Sequence, residues 1–251
     1  MDVVRELFDS YGRTARLYPA VIFLLPLLWY LPLLGIDLSA SVFEGVVAAV
    51  AFSALLYLIA TIARHKGKAA EAMLISRWGG WPTTILLRHR DVHIDEMTKA
   101  RYHGQLNKLT GVALPSAIEE AQQPEKCDAV YRSATKALIE ARRDESHALL
   151  HKENAAYGFR RNLYGLRSYA IWMVIILAAG TLALWFADSP RPLSASTLWA
   201  DLKLNKPLLT ALFLDVLYFA GFWLVITPTF VLQAGIDYAM ALLRTLDKPA
   251  S

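Results

Sequence analysis

Two stretches carry the side chains that could do chemistry. Arg88, His89, Arg90, Lys99, Arg101 and His103 form a dense cationic zone. Further on, Tyr157-Gly158-Phe159-Arg160-Arg161-Asn162-Leu163-Tyr164-Gly165-Leu166-Arg167 interleaves arginine with aromatic rings. Guanidinium groups fork onto phosphate oxygens, and aromatic faces stack on bases. Arg88, Arg90, Lys99, Arg101, His103, Tyr157, Arg160, Arg161 and Arg167 are therefore candidate contacts for an anionic nucleotide or oligonucleotide. The same composition over 157–167 also suits a helix end at the inner leaflet, with arginine on headgroups and tyrosine as anchor. A solvated face equally accounts for the first zone. His89 and His93 stand four apart, as metal ligands on one helix face would. No glutamate sits between them in the metalloprotease arrangement, and no third ligand is assured. No metal or cofactor is expected. Catalytic fingerprints are also missing: no Gly-rich phosphate loop with a lysine, no nucleophile elbow, no dinucleotide motif. Glu119 with Glu120, and Asp144 with Glu145, are adjacent pairs that do not face each other on a helix. No enzymatic activity is expected.

Most of the apolar content that must position these residues falls in four blocks: Leu17–Leu34, Val42–Ala63, Tyr169–Ala187 and Pro207–Leu232. The chain is 55% hydrophobic and only 19% charged. A membrane-crossing helix needs about 20 apolar residues at roughly 1.5 Å each. The expected fold class is an all-α integral membrane protein whose four transmembrane helices, in two hairpins, flank a mainly helical cytoplasmic domain. The divisions are an N-terminal amphipathic segment (1–16), hairpin 1 (17–63), a cytoplasmic sensor or assembly domain (64–168), hairpin 2 (169–232) and a cytoplasmic tail (233–251). No removable signal peptide is read. Arg5, Arg13 and Arg16 precede the first block, Arg64, Lys66 and Lys68 follow the second, and Arg160, Arg161 and Arg167 precede the third. The loop Gly35–Ser41 has no Lys or Arg, whereas Asp188–Lys206 has Arg191, Lys203 and Lys206. The bias places both termini and the central domain in the cytoplasm. Cys127 is the only cysteine, so no intramolecular disulfide forms, in keeping with a reducing compartment.

Within the blocks, two positions stand out as pore or gating candidates. Pro26 removes a backbone donor in the middle of the first block, so a kink or break is expected. Asp215 is an ionisable residue well inside the fourth, which costs several kcal/mol unless it meets protein, water or a partner. Its alternatives are a polar pore lining, a partner for a cation, or a hydrogen bond to a neighbouring helix, with Tyr57 or Ser53 as the partner. The small residues Gly45, Ala48, Ala49, Ala51, Ser53 and Ala54 offer a face for helix–helix contact within or between subunits.

The central domain holds eighteen Lys and Arg against twelve Asp and Glu, a net +6. Trp78-Gly79-Gly80-Trp81-Pro82 predicts a turn. Asp95–Leu109 predicts a helix with Met97, Ala100, Leu106 and Leu109 on one face. Ser116 and Glu119 match a capping box, and Pro124 ends that helix and opens another. From Glu125 the stripe Val130, Ala134, Leu138 and Ala141 predicts an amphipathic helix to about His147. Val3, Val4, Leu7, Phe8, Tyr11 and Ala15 predict a short amphipathic helix that lies in the headgroup plane or packs on the central domain or a neighbouring subunit.

The run Asp95-Glu96-Met97-Thr98-Lys99-Ala100-Arg101-Tyr102-His103, then Tyr131-Arg132-Ser133-Ala134-Thr135, Glu153-Asn154 and Tyr157 to Leu163 resembles bacterial membrane proteins found beside nucleotidyltransferases. It is similar to the transmembrane effector of the Hailong type of anti-phage defence. The likeness covers the central domain and the entry to the third block, while the flanking blocks match only in layout. The resemblance implies a homo-oligomer in membrane lipid, a nucleotidyltransferase as functional partner, and a nucleotide signal, short oligodeoxyadenylate. That signal would control an ion channel or pore whose opening depolarises the infected cell. The alternative is a non-conducting adaptor that docks a soluble partner through the same domain.

Overall fold

The computed structural model describes residues 9–30, 33, 42–144, 146–188 and 194–247. The start of the expected amphipathic helix, Pro32, the loop Gly35–Ser41, Arg191 and the side chain of Glu44 lie outside the described residues. All described elements are helical. They are α1 (Tyr18–Tyr30), α2 (Val42–Trp78), α3 (Pro82–Ile85), α4 (Glu96–Thr110), α5 (Ala117–Gln122), α6 (Pro124–Ala141), α7 (Ala148–Asp188), α8 (Ala195–Leu204), α9 (Lys206–Ala220) and α10 (Pro228–Arg244).

Among the described residues, three helical stretches are long and apolar enough to cross a membrane: Val47–Ile85, Ala148–Asp188 and Lys206–Val225. Their apolar side chains face outward in the single chain; Val50, Ile176, Leu184 and Leu224 are each at least 65% exposed. Such a surface is unfavourable in water and at home in lipid. This is what a multi-pass membrane protein requires.

The first block is shaped by its prolines. Ser10–Gly12 forms a single helical turn capped by the Asp9 carboxylate, and Arg13–Leu17 follows as a π-helical turn closed by the Tyr18 N–H on the Arg13 carbonyl. Pro19 has no N–H to offer the Ala15 carbonyl four residues back. The Asn162 side-chain amide takes that role, donating to Ala15 O at 2.6 Å. Ala15 itself is fully buried. The described part of the expected amphipathic segment thus packs on α7. Pro26 sits buried inside α1, and the helix continues through it to Tyr30 without the expected break. The adjoining Phe23 carbonyl accepts from the Tyr218 hydroxyl at 3.2 Å, which holds the turn against α9.

α2 and α7 run from the apolar blocks into the polar domain without interruption. At 37 and 41 residues they extend about 55 and 60 Å. They cross where Gly67 meets Gly165, and a methyl group at Gly165 would stand 2.4 Å from Gly67 N. The tight contact is therefore there and not along Gly45–Ala54, where Gly45 meets open space and Ala48, Ala49, Ala51, Ser53 and Ala54 are exposed.

The fourth block does not run unbroken to Leu232. A π-helical turn, Gly221–Val225, follows α9, the chain extends at Ile226–Thr227, and Pro228 starts α10 at the one helical position where its missing N–H is no loss. Residues 233–247 are no free tail. Ala239, Leu242, Leu243 and Leu246 join Leu86, Leu87, Tyr102, Leu106, Tyr131 and Leu138 in the largest core cluster. The domain core is thus closed by a segment from the far end of the chain. The capping box at Ser116 and Glu119 is present. α8 lies inside what reads as a loop, opened by a Ser194–Thr197 capping box and tied back by Trp185 Nε1 to Asp201 at 2.7 Å.

Candidate functional site

The cationic zone is built around the turn after α3. Gly79 (φ 77°) and Gly80 (φ 149°) occupy backbone conformations that side chains disfavour, which lets the chain reverse between α2 and α3. Arg88 closes that reversal. Its Nη2 donates to Gly79 O at 2.6 Å, and its Nε and Nη2 fork onto Asp128 of α6 at 2.9 and 2.6 Å. Lys99 is 3% exposed and donates its ammonium protons to the carbonyls of Arg88 and Asp91. His103 is also buried and meets Leu87 O through Nε2 at 2.9 Å. Glu120 receives the His89 backbone N–H at 2.7 Å and the Tyr131 hydroxyl at 2.8 Å, with Arg90 Nε 4.0 Å away. In the turn 87–91 the carbonyls of Leu87, Arg88 and Asp91 are thus satisfied by His103 and Lys99, and the N–H groups of His89 and Arg90 by Glu120, while the other N–H groups bond backbone carbonyls.

The ionisation pattern follows. Burial holds His103 below the usual imidazole value despite the Leu87 carbonyl, and Lys99 and His89 nearby push the same way. Burial alone would raise Glu120, but the His89 N–H, the Tyr131 hydroxyl and Arg90 outweigh it and hold the carboxyl low. Burial and the Glu120 carboxylate both push Tyr131 upward. Because His103 takes up a proton less readily when folded than when unfolded, where it protonates at about pH 6.5, stability falls as pH drops through that value. The melting temperature of the wild type should therefore decline between pH 7.5 and 5.5 more steeply than that of His103→Gln. Parallel slopes would contradict this.

The remaining candidates have separate duties. Arg101 pairs with Asp247 at 2.9 Å on the surface, joined by the Tyr102 hydroxyl at 3.2 Å. Tyr157 and Arg161 meet at Glu71 of α2, the hydroxyl at 2.7 Å and Nη1 at 3.1 Å from the same oxygen. Arg160 donates to Phe230 O at 3.1 Å with its guanidinium over the Phe230 ring. Arg167 donates to Phe222 O and Trp223 O at 3.0 and 3.1 Å and lies over the Trp223 indole. These last two arginines bracket the break between α9 and α10, and Arg167 caps the carbonyl end of the preceding helix, where a cation is favoured.

The structure thus brings Arg88, Arg90, Lys99 and His103 together around one turn, and Tyr157 and Arg161 around Glu71. Most of their polar atoms face protein partners. Asp215 is 5% exposed and accepts from Trp29 Nε1 at 3.0 Å and Tyr30 OH at 2.5 Å, so its partners lie on α1 rather than being Ser53 or Tyr57. His89 and His103 rings meet edge to face at 4.9 Å. Among the described residues no three His, Cys, Asp or Glu side chains gather as a metal site. Sequence reasoning missed the acidic partners Glu71, Glu120, Asp128 and Asp247. Glu71 and Asp247 lie 86 and 146 residues from the side chains they receive, so no local spacing signals them.

Among the described residues these features define an all-helical protein with three helices fit to cross a membrane and a polar helical domain carried on two of them. Compared with protein-family models, curated proteins and solved structures, the chain matches none.

Proposed function

We propose that the protein is a homo-oligomeric membrane effector, a channel or pore controlled by an anionic nucleotide signal at its polar domain. In this reading the segment around α1 completes a fourth span and the polar domain faces the cytoplasm. Opening depolarises a bacterial inner membrane in anti-phage defence. The observation that carries it is the continuity of α2 and α7, which join the apolar blocks to the polar domain as single rods crossed at Gly67 and Gly165. A rearrangement in the domain is transmitted along them without a hinge between. The exposed small residues of Gly45–Ala54 provide a face for copies of the chain to pack, and assembly is needed because so few spans rarely enclose a pore.

Asp215 and Pro26 take the gating role. The carboxylate joins α9 to the end of α1 through Trp29 and Tyr30, a latch whose release frees α1. Planar-bilayer recording of the purified protein, with and without short oligodeoxyadenylate, tests the reading. Conductance that changes with the oligonucleotide is expected, and Tyr30→Phe should raise the unliganded current several-fold. No conductance in either condition removes the channel. One observation favours the adaptor instead: Arg88, Lys99 and Arg161 are held by internal partners. A stoichiometric soluble partner in a pull-down, with normal membrane potential on overexpression, would establish it.

A further inference from the structure

Arg132 and Lys136 stand apart from the paired cations described above. They lie one turn apart on the exposed face of α6, and among the described residues neither charged group has a hydrogen-bond or ion-pair partner. Both line a cleft of about 510 Å³ between α6 and the entry to α3. Ala129, Arg132, Ser133 and Lys136 follow the spacing of a single helix face, so one wall is a row with Ser133 between the two charges and Ala129 one turn before them. Trp81 and Thr83 form the other wall, and the Trp81 indole is 40% exposed.

We infer that this cleft binds a phosphate ester carrying a planar ring, such as a nucleoside monophosphate unit. Two like charges four residues apart repel each other, and an anion between them removes that cost. The Ser133 hydroxyl supplies a further donor. Trp81 offers an aromatic face for a ring, and the volume falls in the range of small-ligand sites. A lipid phosphate is a poorer fit. The last residue of the apolar block on α2 is Ala63, and Trp78 lies fifteen residues beyond it on the same helix, about 22 Å further along the axis. The inference deepens the reading of ligand control given above by naming a site for the signal, and it moves that site from the paired cations to an open cleft.

The test uses the full-length protein in detergent, with adenosine 5′-monophosphate and inorganic phosphate as probes, followed by equilibrium dialysis and tryptophan fluorescence. Saturable binding of the nucleotide, at least about tenfold tighter than phosphate, is expected. Arg132→Ala with Lys136→Ala should weaken the nucleotide about a hundredfold, at unchanged melting temperature, since each charge-assisted bond is worth about tenfold. Trp81→Ala should weaken the nucleotide about tenfold and leave phosphate unchanged, and Trp81→Phe should remove the fluorescence change. Nucleotide binding unaltered in the double variant, nucleotide and phosphate binding equally, or no saturable binding below about 1 mM would each overturn the site. A nanodisc arm separates the sources: nucleotide binding lost with phosphatidylglycerol but kept with phosphatidylcholine would assign the cleft to lipid and overturn the proposal. None of these readouts requires conductance, so failure of the channel reading leaves the binding result standing.

Discussion

Gly165→Ala should cost the protein about 3 kcal/mol or prevent folding altogether. The added methyl would lie 2.4 Å from Gly67 N, 2.6 Å from the Lys66 carbonyl carbon and 2.7 Å from Gly67 Cα. All three are backbone atoms, so no rotamer change relieves the clash. Either α2 and α7 separate at their crossing or the pair fails to form. Separation would also loosen neighbouring contacts, since Asn162 of the same helix holds the Ala15 carbonyl and abuts Gly67. Gly104→Ala is the control. It lies in α4 with nothing within 4 Å of the added methyl, and it should stabilise by up to about 1 kcal/mol through helix propensity. Fluorescence-detected size exclusion and thermal melting in detergent report both. A Gly165→Ala protein that elutes and melts like the wild type would contradict the crossing.

Arg88→Ala should destabilise by about 3–5 kcal/mol, because it breaks a largely buried ion pair and leaves its partner behind. The two side chains are 9% and 22% exposed, so water cannot replace the lost bonds cheaply. Three acceptors are affected at once: both Asp128 oxygens and the Gly79 carbonyl. Arg88→Lys should recover little, since an ammonium cannot fork onto the carboxylate and reach the turn as well. Combining Arg88→Ala with Asp128→Ala should be less damaging than the sum of the two, and the difference isolates the pair. Denaturant unfolding in mild detergent measures it. A loss under about 1 kcal/mol, the scale of an exposed pair, would show that Arg88 does not hold the turn.

The apolar blocks announced the long helices because length and composition alone decide that. Local chemistry also gave the Gly79-Gly80 reversal, the capping box at Ser116 and the start of α6 at Pro124. Faces were harder. On α4 the buried side is Lys99, Tyr102, His103 and Leu106, while Met97 is 86% exposed. An apolar stripe misleads there because the buried carbonyls of Leu87, Arg88 and Asp91 demand donors, and only a lysine and a histidine supply them. On α6 the buried set is Cys127, Tyr131, Ala134, Thr135 and Leu138; Ala141 is exposed and ends the helix short of His147. Tyr131 turns inward because Glu120 waits for its hydroxyl. The role of α10 was hidden for a different reason: Pro228 falls within the apolar block 207–232, near its inner end, when it is the start of an amphipathic helix. For the candidate site, the structure gathers Arg88, Arg90, Lys99 and His103 at one turn and scatters Arg101, Arg160, Arg161 and Arg167 among other partners; carboxylates distant in sequence, such as Glu71 and Asp247, could not be read from local spacing.

In the proposed topology lipid surrounds the apolar helices while the polar domain lies on the cytoplasmic side. Protease accessibility, followed with antibodies to each end of the chain, tests it most directly. In intact cells with a permeable outer layer, residues 70–150 should resist external protease, and in inverted membrane vesicles they should be cut. Cleavage within 70–150 from outside intact cells, or recovery of the chain in the supernatant without detergent, would contradict the account.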